Sequence, residues 1–172
     1  MAARIIMSYE KNNYIREKAV DYAKKYALSP NPSYRYFDVY ETLGGDCTNF
    51  VSQCLLAGGV PMTYSTEYAW WYKGDSWSIP WAVAHSLYWT LKVNYQSNYY
   101  GVKGLEVDNV NMLELGDLIF YEDDRGVLYH SSIVTSFDNV GPLISQHTFN
   151  ALNISYLKTW KARKMHFMKI SL

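Results

Sequence analysis

The chain has 172 residues, with 16 lysines and arginines balancing 16 aspartates and glutamates. That balance gives no basic field to hold nucleic acid, and the length suits one domain, 1–172, with a proper core. No stretch approaches the ~18 apolar residues of a membrane helix, and MAARIIMSYEKNNY at the start lacks the long apolar region of a secretion signal, so the chain reads as soluble.

Residues 12–28 predict a first helix. Tyr14, Ile15, Ala19, Tyr22, Ala23 and Tyr26 fall on one side, Arg16, Glu17, Asp21, Lys24 and Lys25 fall largely opposite, and Pro30 and Pro32 end it. Ser29 to Gly45 reads as a loop whose Tyr34, Tyr36, Phe37 and Tyr40 either wall a cleft or anchor the loop by packing.

The most telling run follows, GGDCTNFVSQCLLAGG at 44–59. Phe50, Val51, Cys54 and Leu55 recur at helical spacing, Thr48, Asn49, Ser52 and Gln53 fall mostly elsewhere, and Gly58 and Gly59 end the helix. Cys47 therefore opens a helix directly after a glycine turn. A helix N-terminus concentrates unpaired N–H groups and the positive end of the peptide dipole, which biases a sulfur there toward thiolate, so Cys47 is the candidate nucleophile. Cys54 lies seven residues on, about 10 Å along the axis and beyond the roughly 7 Å limit for a disulfide, and reads as core.

Residues 61–79 carry Tyr64, Tyr68, Trp70, Trp71, Tyr72 and Trp77 without a clean period. A further helix is predicted from a Ser78 cap and Pro80 in the first turn, with an apolar stripe of Trp81, Ala84, Leu87, Tyr88 and Leu91 reaching about Asn94. His85, close to that stripe, is left out of the site. After a polar stretch at 96–111 come short β-type runs at Leu118–Tyr121, Leu128–Phe137, Pro142–Thr148 and Met165–Ile170, punctuated by DDRG and DNVG. Helices first and antiparallel strands afterwards is the α+β pattern.

Seventeen tyrosines, six tryptophans and six phenylalanines bring the aromatic content to 17%. Such an excess suits a wet cleft gripping sugars or peptides, or equally tyrosine at half-buried packing positions. Tyr36, Trp71 and Trp77 are the candidate substrate contacts.

A thiol nucleophile needs a base, and His130 opens the strand HSSIVTSF just after the DDRG turn. The next strand, PLISQHT, offers His147 to orient the imidazole, with Gln146 just before it and Asn150 as the nearest alternative. Asp46 could order the turn or the oxyanion site, but a carboxylate beside the thiol would raise its pKa, so the side chain is expected to point away and bond backbone amides. The cysteines and histidines show no zinc spacing, and neither metal nor cofactor is expected.

GGDCTNFVSQCLLAGG, GDLIFYE at 116–122, HSSIVTS at 130–136 and ISQHT at 144–148, together with WWYKGDSWS at 70–78, closely resemble the putative amidase domain family of Gram-positive bacteria, relatives of the NlpC-type and CHAP cell-wall hydrolases. The resemblance runs from about Tyr14 to the last strand and implies a papain-like fold, a nucleophile-bearing helix packed on a small antiparallel sheet or barrel. It further implies a cysteine amidase or peptidase acting on peptidoglycan, in the stem peptide or at the sugar–peptide amide, with Cys47 as nucleophile, His130 as base and acid, and His147 as orienting residue. Gly116 and Asp117 match a GD turn, read as structural. An extracellular or cell-wall location and a monomer are expected. The rival readings are a wall-binding module gripping glycan with Trp70, Trp71, Trp77 and Trp81, and a transpeptidase or acyltransferase resolving the thioester with an amine.

Overall fold

The computed structural model describes residues 13–41, 43–64 and 67–172. Helix α1 (Arg16–Tyr26) turns Ala19, Val20 and Ala23 inward. It is shorter than the predicted 12–28, and the reading of residues 1–12, including the start of that helix, lies outside the described residues. Arg16 ties its first turn to the sheet half, donating to Asp117 Oδ1 at 2.6 Å, Leu115 O at 2.9 Å and Ile170 O at 2.9 Å.

A short hairpin of β1 (Val39–Tyr40) and β2 (Leu43–Gly44) leads into α2 (Cys47–Ala57). Sequence spacing sets Thr48, Asn49, Ser52 and Gln53 apart from the apolar stripe, yet everything from Cys47 to Leu55 is buried. A helix enclosed on all sides must find partners for its polar groups. Asn49 donates to Arg35 O and accepts from Trp81 Nε1, Ser52 donates to Trp81 O and accepts from Trp70 Nε1, and Gln53 accepts from Tyr22. Gly58 and Gly59 end the helix as expected, Gly59 with φ +89°.

After a second hairpin, β3 (Tyr72–Lys73) and β4 (Ser76–Trp77), the helix predicted from Ser78 is in fact two, α3 (Ile79–Ala82) and α4 (Ala84–Gln96). Val83 stands between them in an extended conformation, φ −119° and ψ 119°. Trp81 on the first piece is fully buried against Trp70 at 4.9 Å and Tyr72 at 5.4 Å, while Leu87 and Leu91 on the second join the core under the sheet. Tertiary packing of one large ring overrides the continuous helical pattern.

The second half supplies β5 (Lys103–Val107), β6 (Leu118–Glu122), β7 (Leu128–Phe137), β8 (Pro142–Gln146), β9 (Ala151–Ser155) and β10 (Lys164–Ser171). They form one antiparallel sheet in the order β5-β10-β6-β7-β8-β9, with helices on one face, so the chain has the α+β architecture its pattern of elements predicts. Strands β5 and β9 were not legible in the sequence. Both are sheet edges, where solvation weakens the apolar alternation that marks a strand.

Leu118, Phe120, Ile133, Met168 and Ile170 pack beneath the helices, whereas Ile119, Tyr121, Val134 and Ile144 form a second cluster on the opposite face. The GD turn is structural, as expected. Gly116 has φ +84°, and the Asp117 carboxylate accepts from Glu114 N at 2.8 Å, Ile170 N at 2.9 Å and Arg16. The tyrosines divide between roles, Tyr88 and Tyr121 in the core and Tyr40, Tyr64 and Tyr100 largely exposed. Among the described residues no helix is long and apolar enough to cross a membrane.

Candidate active site

The ladder between β7 and β8 runs from Phe137 with Pro142 to Ile133 with Ser145. The N-terminus of α2 is held at the end of that ladder. On the β7 side Thr48 Oγ1 and Ser131 Oγ are hydrogen-bonded at 3.1 Å, and on the β8 side Asp46 N donates to Thr148 Oγ1 at 2.7 Å. Gly45 permits the close approach, since its φ is +113° and a Cβ there would stand 2.7 Å from Thr148 Oγ1. Thr148 and Phe149 themselves hold φ values of +57° and +64°, conformations that cost a β-branched and a bulky residue free energy and that concentrate at functional turns.

Cys47 thus lies against the residue that follows His130. It is 7% exposed, and its sulfur's hydrogen-bond partners are Thr48, with Oγ1 at 3.6 Å, and Ser131. Burial pushes the thiol above its ordinary pKa, and the hydrogen bonds from Thr48 and Ser131 offset that only in part. Desolvation thus works against the thiolate bias expected of a helix N-terminus. Because iodoacetamide reacts with the thiolate, Cys47 should alkylate more slowly at pH 7 than free cysteine, with the rate still climbing above about pH 8.5, the free-thiol value. A rate plateau already reached below pH 7 would instead reveal a preformed thiolate.

His130 is 1% exposed, on the sheet face shared by Tyr121 and Val134, with its ring against Tyr121 at 5.2 Å and Trp160 at 5.3 Å. Its Nε2 lies 2.8 Å from Gln146 Oε1. The amide orientation fixes the tautomer. Gln146 Nε2 donates to Phe149 O at 3.1 Å, so Oε1 faces the ring and accepts from both His130 Nε2–H and Thr159 Oγ1–H, the latter at 2.6 Å. Nδ1 then carries the free lone pair. Burial drives the imidazole pKa down to about 3, the Gln146 carbonyl opposing, so the ring is a neutral base at neutral pH.

His147 does not orient His130. Its Nδ1 pairs with Asp46 Oδ2 at 2.5 Å, its Nε2 with Tyr26 O at 2.8 Å, and its ring stacks on Phe50 at 4.1 Å. The physical reason is strand alternation: Ile144 and Gln146 share the face of Val134 and His130, while His147 falls on the helix face. Period-two alternation in PLISQHT, counted from Ile144, was the available signal for Gln146. Asn150, the alternative orienter, instead accepts from Tyr36 Oη at 3.3 Å. Asp46 does point away from the thiol. Its Oδ1 accepts from Phe37 N and Asn49 Nδ2, both at 2.8 Å, so it orders the turn, with its oxygens occupied there and not offered to an oxyanion site.

Residues 13–170 match the family described as "Putative amidase domain". The chain belongs to that family. Two Bacillus subtilis (strain 168) proteins are similar to it. The uncharacterized protein YhbB is 36% identical over 142 residues, covering 80% of this chain and 42% of that protein. The uncharacterized protein YjcM is 36% identical over 145 residues, covering 79% and 31%. The chain thus spans less than half the length of these curated relatives. No solved structure matches it.

In this member of the putative amidase domain family, two clefts flank the Tyr36–Asn150 bond. One, of about 340 Å³, is lined by Arg35, Tyr36, Phe37, Gly45 and Trp77, with the Arg35 guanidinium 5.7 Å from the Trp77 ring. The other, of about 350 Å³, is lined by Gln146, Phe149, Asn150, Lys158 and Trp160 among others. Tyr36 and Trp77 are therefore placed as cleft walls. Trp71 is not among the lining residues and stacks on Tyr64 at 6.0 Å. Trp70 and Trp81, 1% and 0% exposed, are core and have no face to offer a glycan. Among the described residues no group of three or more His, Cys, Asp or Glu is arranged to hold a metal ion.

Proposed function

We propose that the chain is a papain-like cysteine amidase that hydrolyses amide bonds of peptidoglycan, in the stem peptide or at the sugar–peptide junction, at the cell wall or outside the cell. The carrying observation is the convergence of α2 on the end of the β7–β8 ladder, which sets the Cys47 sulfur against Ser131 while Gln146 holds the neighbouring His130 with Nδ1 unprotonated. The family's description supports amide chemistry. The substrate and the papain-like character rest on the motif resemblance.

Among the described residues no hydrogen bond joins the Cys47 sulfur to His130, so the proposed reaction requires the sulfur to leave Ser131 for His130 Nδ1, to which it gives its proton as it attacks the carbonyl carbon. The backbone N–H of Cys47, in the first turn of α2, faces the developing oxyanion. The carbon–nitrogen bond breaks, the amine leaves with the His130 proton, and a thioester remains. Water, deprotonated by the same nitrogen, then releases the acid and restores the thiol. The orienting third group is Gln146, so the mechanism is Cys-His-Gln in place of the Cys-His-His expected from sequence.

The test is mass spectrometry of purified peptidoglycan fragments after incubation with the protein, with and without an added amine. Paired new amine and carboxyl termini that depend on Cys47 are expected. Amine adducts in place of acids would make the protein an acyltransferase, and unchanged fragments would overturn the proposal.

A further inference from the structure

Thr48 on α2 and Ser131 on β7 meet where the helix packs on the sheet, both 0% exposed. Thr48 Oγ1 lies 3.1 Å from Ser131 Oγ and 3.6 Å from the Cys47 sulfur. Among the described residues neither hydroxyl has a hydrogen-bond partner beyond that sulfur and each other. Burying two hydroxyls is costly, and valine and alanine would fill the same space with no polar atom to satisfy. The polar work this pair does in the fold is to hold the sulfur.

That hold is not on the candidate base. Ser131 pairs with Phe120 on the helix face of the sheet, whereas His130, one residue earlier and paired with Tyr121, turns its ring toward Tyr121 and Trp160. Gln146 occupies Nε2 alone, so Nδ1 keeps an open lone pair that the sulfur does not use. The sulfur therefore has two partners to choose between. Leaving the first strands nothing, because Thr48 and Ser131 stay bonded to each other when the cysteine turns to another staggered rotamer.

We propose that Thr48 and Ser131 are a latch that parks the Cys47 sulfur off His130, so that the free protein is switched off and the nucleophile meets its base only on rotating away from the two hydroxyls. The latch rests on the amidase reading for its role, but not for its measurement. Alkylation of Cys47 by iodoacetamide, followed site by site by peptide mass spectrometry, reports the state of the sulfur with no substrate present. Loss of the hydroxyls alone removes two groups that favour the thiolate, and would slow the reaction. Faster alkylation therefore requires a new partner for the sulfur.

At pH 7 the double variant Thr48→Val/Ser131→Ala should alkylate at Cys47 at least about threefold faster than the parent, through the base it then reaches. Its melting temperature should hold or rise, because two buried hydroxyls are gone. Adding His130→Gln to that variant should erase the gain. In the parent, His130→Gln should leave the rate within about threefold, since the parked sulfur does not use the ring. Thr48→Ser, which keeps the hydroxyl, should stay at the parent rate. A smaller gain in the double variant, a gain that survives the loss of His130, or a serine variant as fast as the double variant overturns the latch. So does a larger fall with His130→Gln alone, a comparison that stands even where the double variant does not fold. The expected rates in a protein that cleaves no amide would keep the latch and remove the amidase reading, and cleavage with the overturning rates would do the reverse.

Discussion

Cys47→Ala is expected to slow amide release from purified peptidoglycan by at least ~10³-fold, the usual loss when a nucleophile is removed and only binding and oxyanion contacts remain. The fold should survive, because the sulfur's neighbours Thr48 and Ser131 stay hydrogen-bonded to each other at 3.1 Å and the deletion is one atom. A melting temperature within a few degrees of the parent checks that. Parental release by the alanine protein would remove Cys47 from the chemistry altogether.

The same assay ranks the positioning residues. Gln146→Leu frees the His130 tautomer and should lower kcat about 10- to 100-fold at little cost in KM, since the amide acts through the imidazole. Gln146→Glu places a carboxylate on Nε2, which favours the imidazolium and should move the acid limb of the pH–rate profile upward. A purely structural role for Gln146 would leave that limb where it is.

The largest stability effect should come from His147→Ala. Both ring nitrogens of His147 are hydrogen-bonded, Nδ1 to Asp46 and Nε2 to the Tyr26 carbonyl, so the ring ties the turn before Cys47 to the end of α1. Both side chains are 1% exposed. Truncating the histidine leaves the buried Asp46 side chain without its ring partner, and breaking a buried pair from one side typically costs about 3–5 kcal/mol. For a chain of this size that is a fall of about 10 °C in melting temperature. In a double-mutant cycle, Asp46→Ala/His147→Ala should lose clearly less than the sum of the two single variants. Strict additivity, or a His147→Ala protein that melts with the parent, would deny the pair its role. Sequence reasoning expects His147 to matter less than His130 for turnover. In the structure its ring is held by Asp46 and Tyr26, which moves its importance from the ring of His130 to the turn that carries Cys47.

Much of the site was legible because its parts are local. Cys47 before an apolar helix, the Gly58–Gly59 stop and the GD turn each follow from a few neighbouring residues and were located without coordinates. Other features were not local. The helix stripe of α2 misplaced Thr48, Asn49, Ser52 and Gln53, because their burial depends on partners as distant as Ser131, Trp81, Trp70 and Tyr22. The single helix read from Ser78 divides at Val83, because the Trp81 ring packs into an aromatic cluster that no helical period encodes.

By itself the sequence determined the helix that Cys47 opens, the strand that carries His130, the α+β class and the family motifs, since those depend on periodicity, turn chemistry and short-range pattern. Only the tertiary structure decided that Gln146 and not His147 holds His130, that Asp46 is hydrogen-bonded to His147, and that burial raises the pKa of the Cys47 thiol. The reason is physical: which of two adjacent residues faces a given neighbour, and how much water a charge loses, are set by strand register and enclosure, and both arise only when distant segments meet.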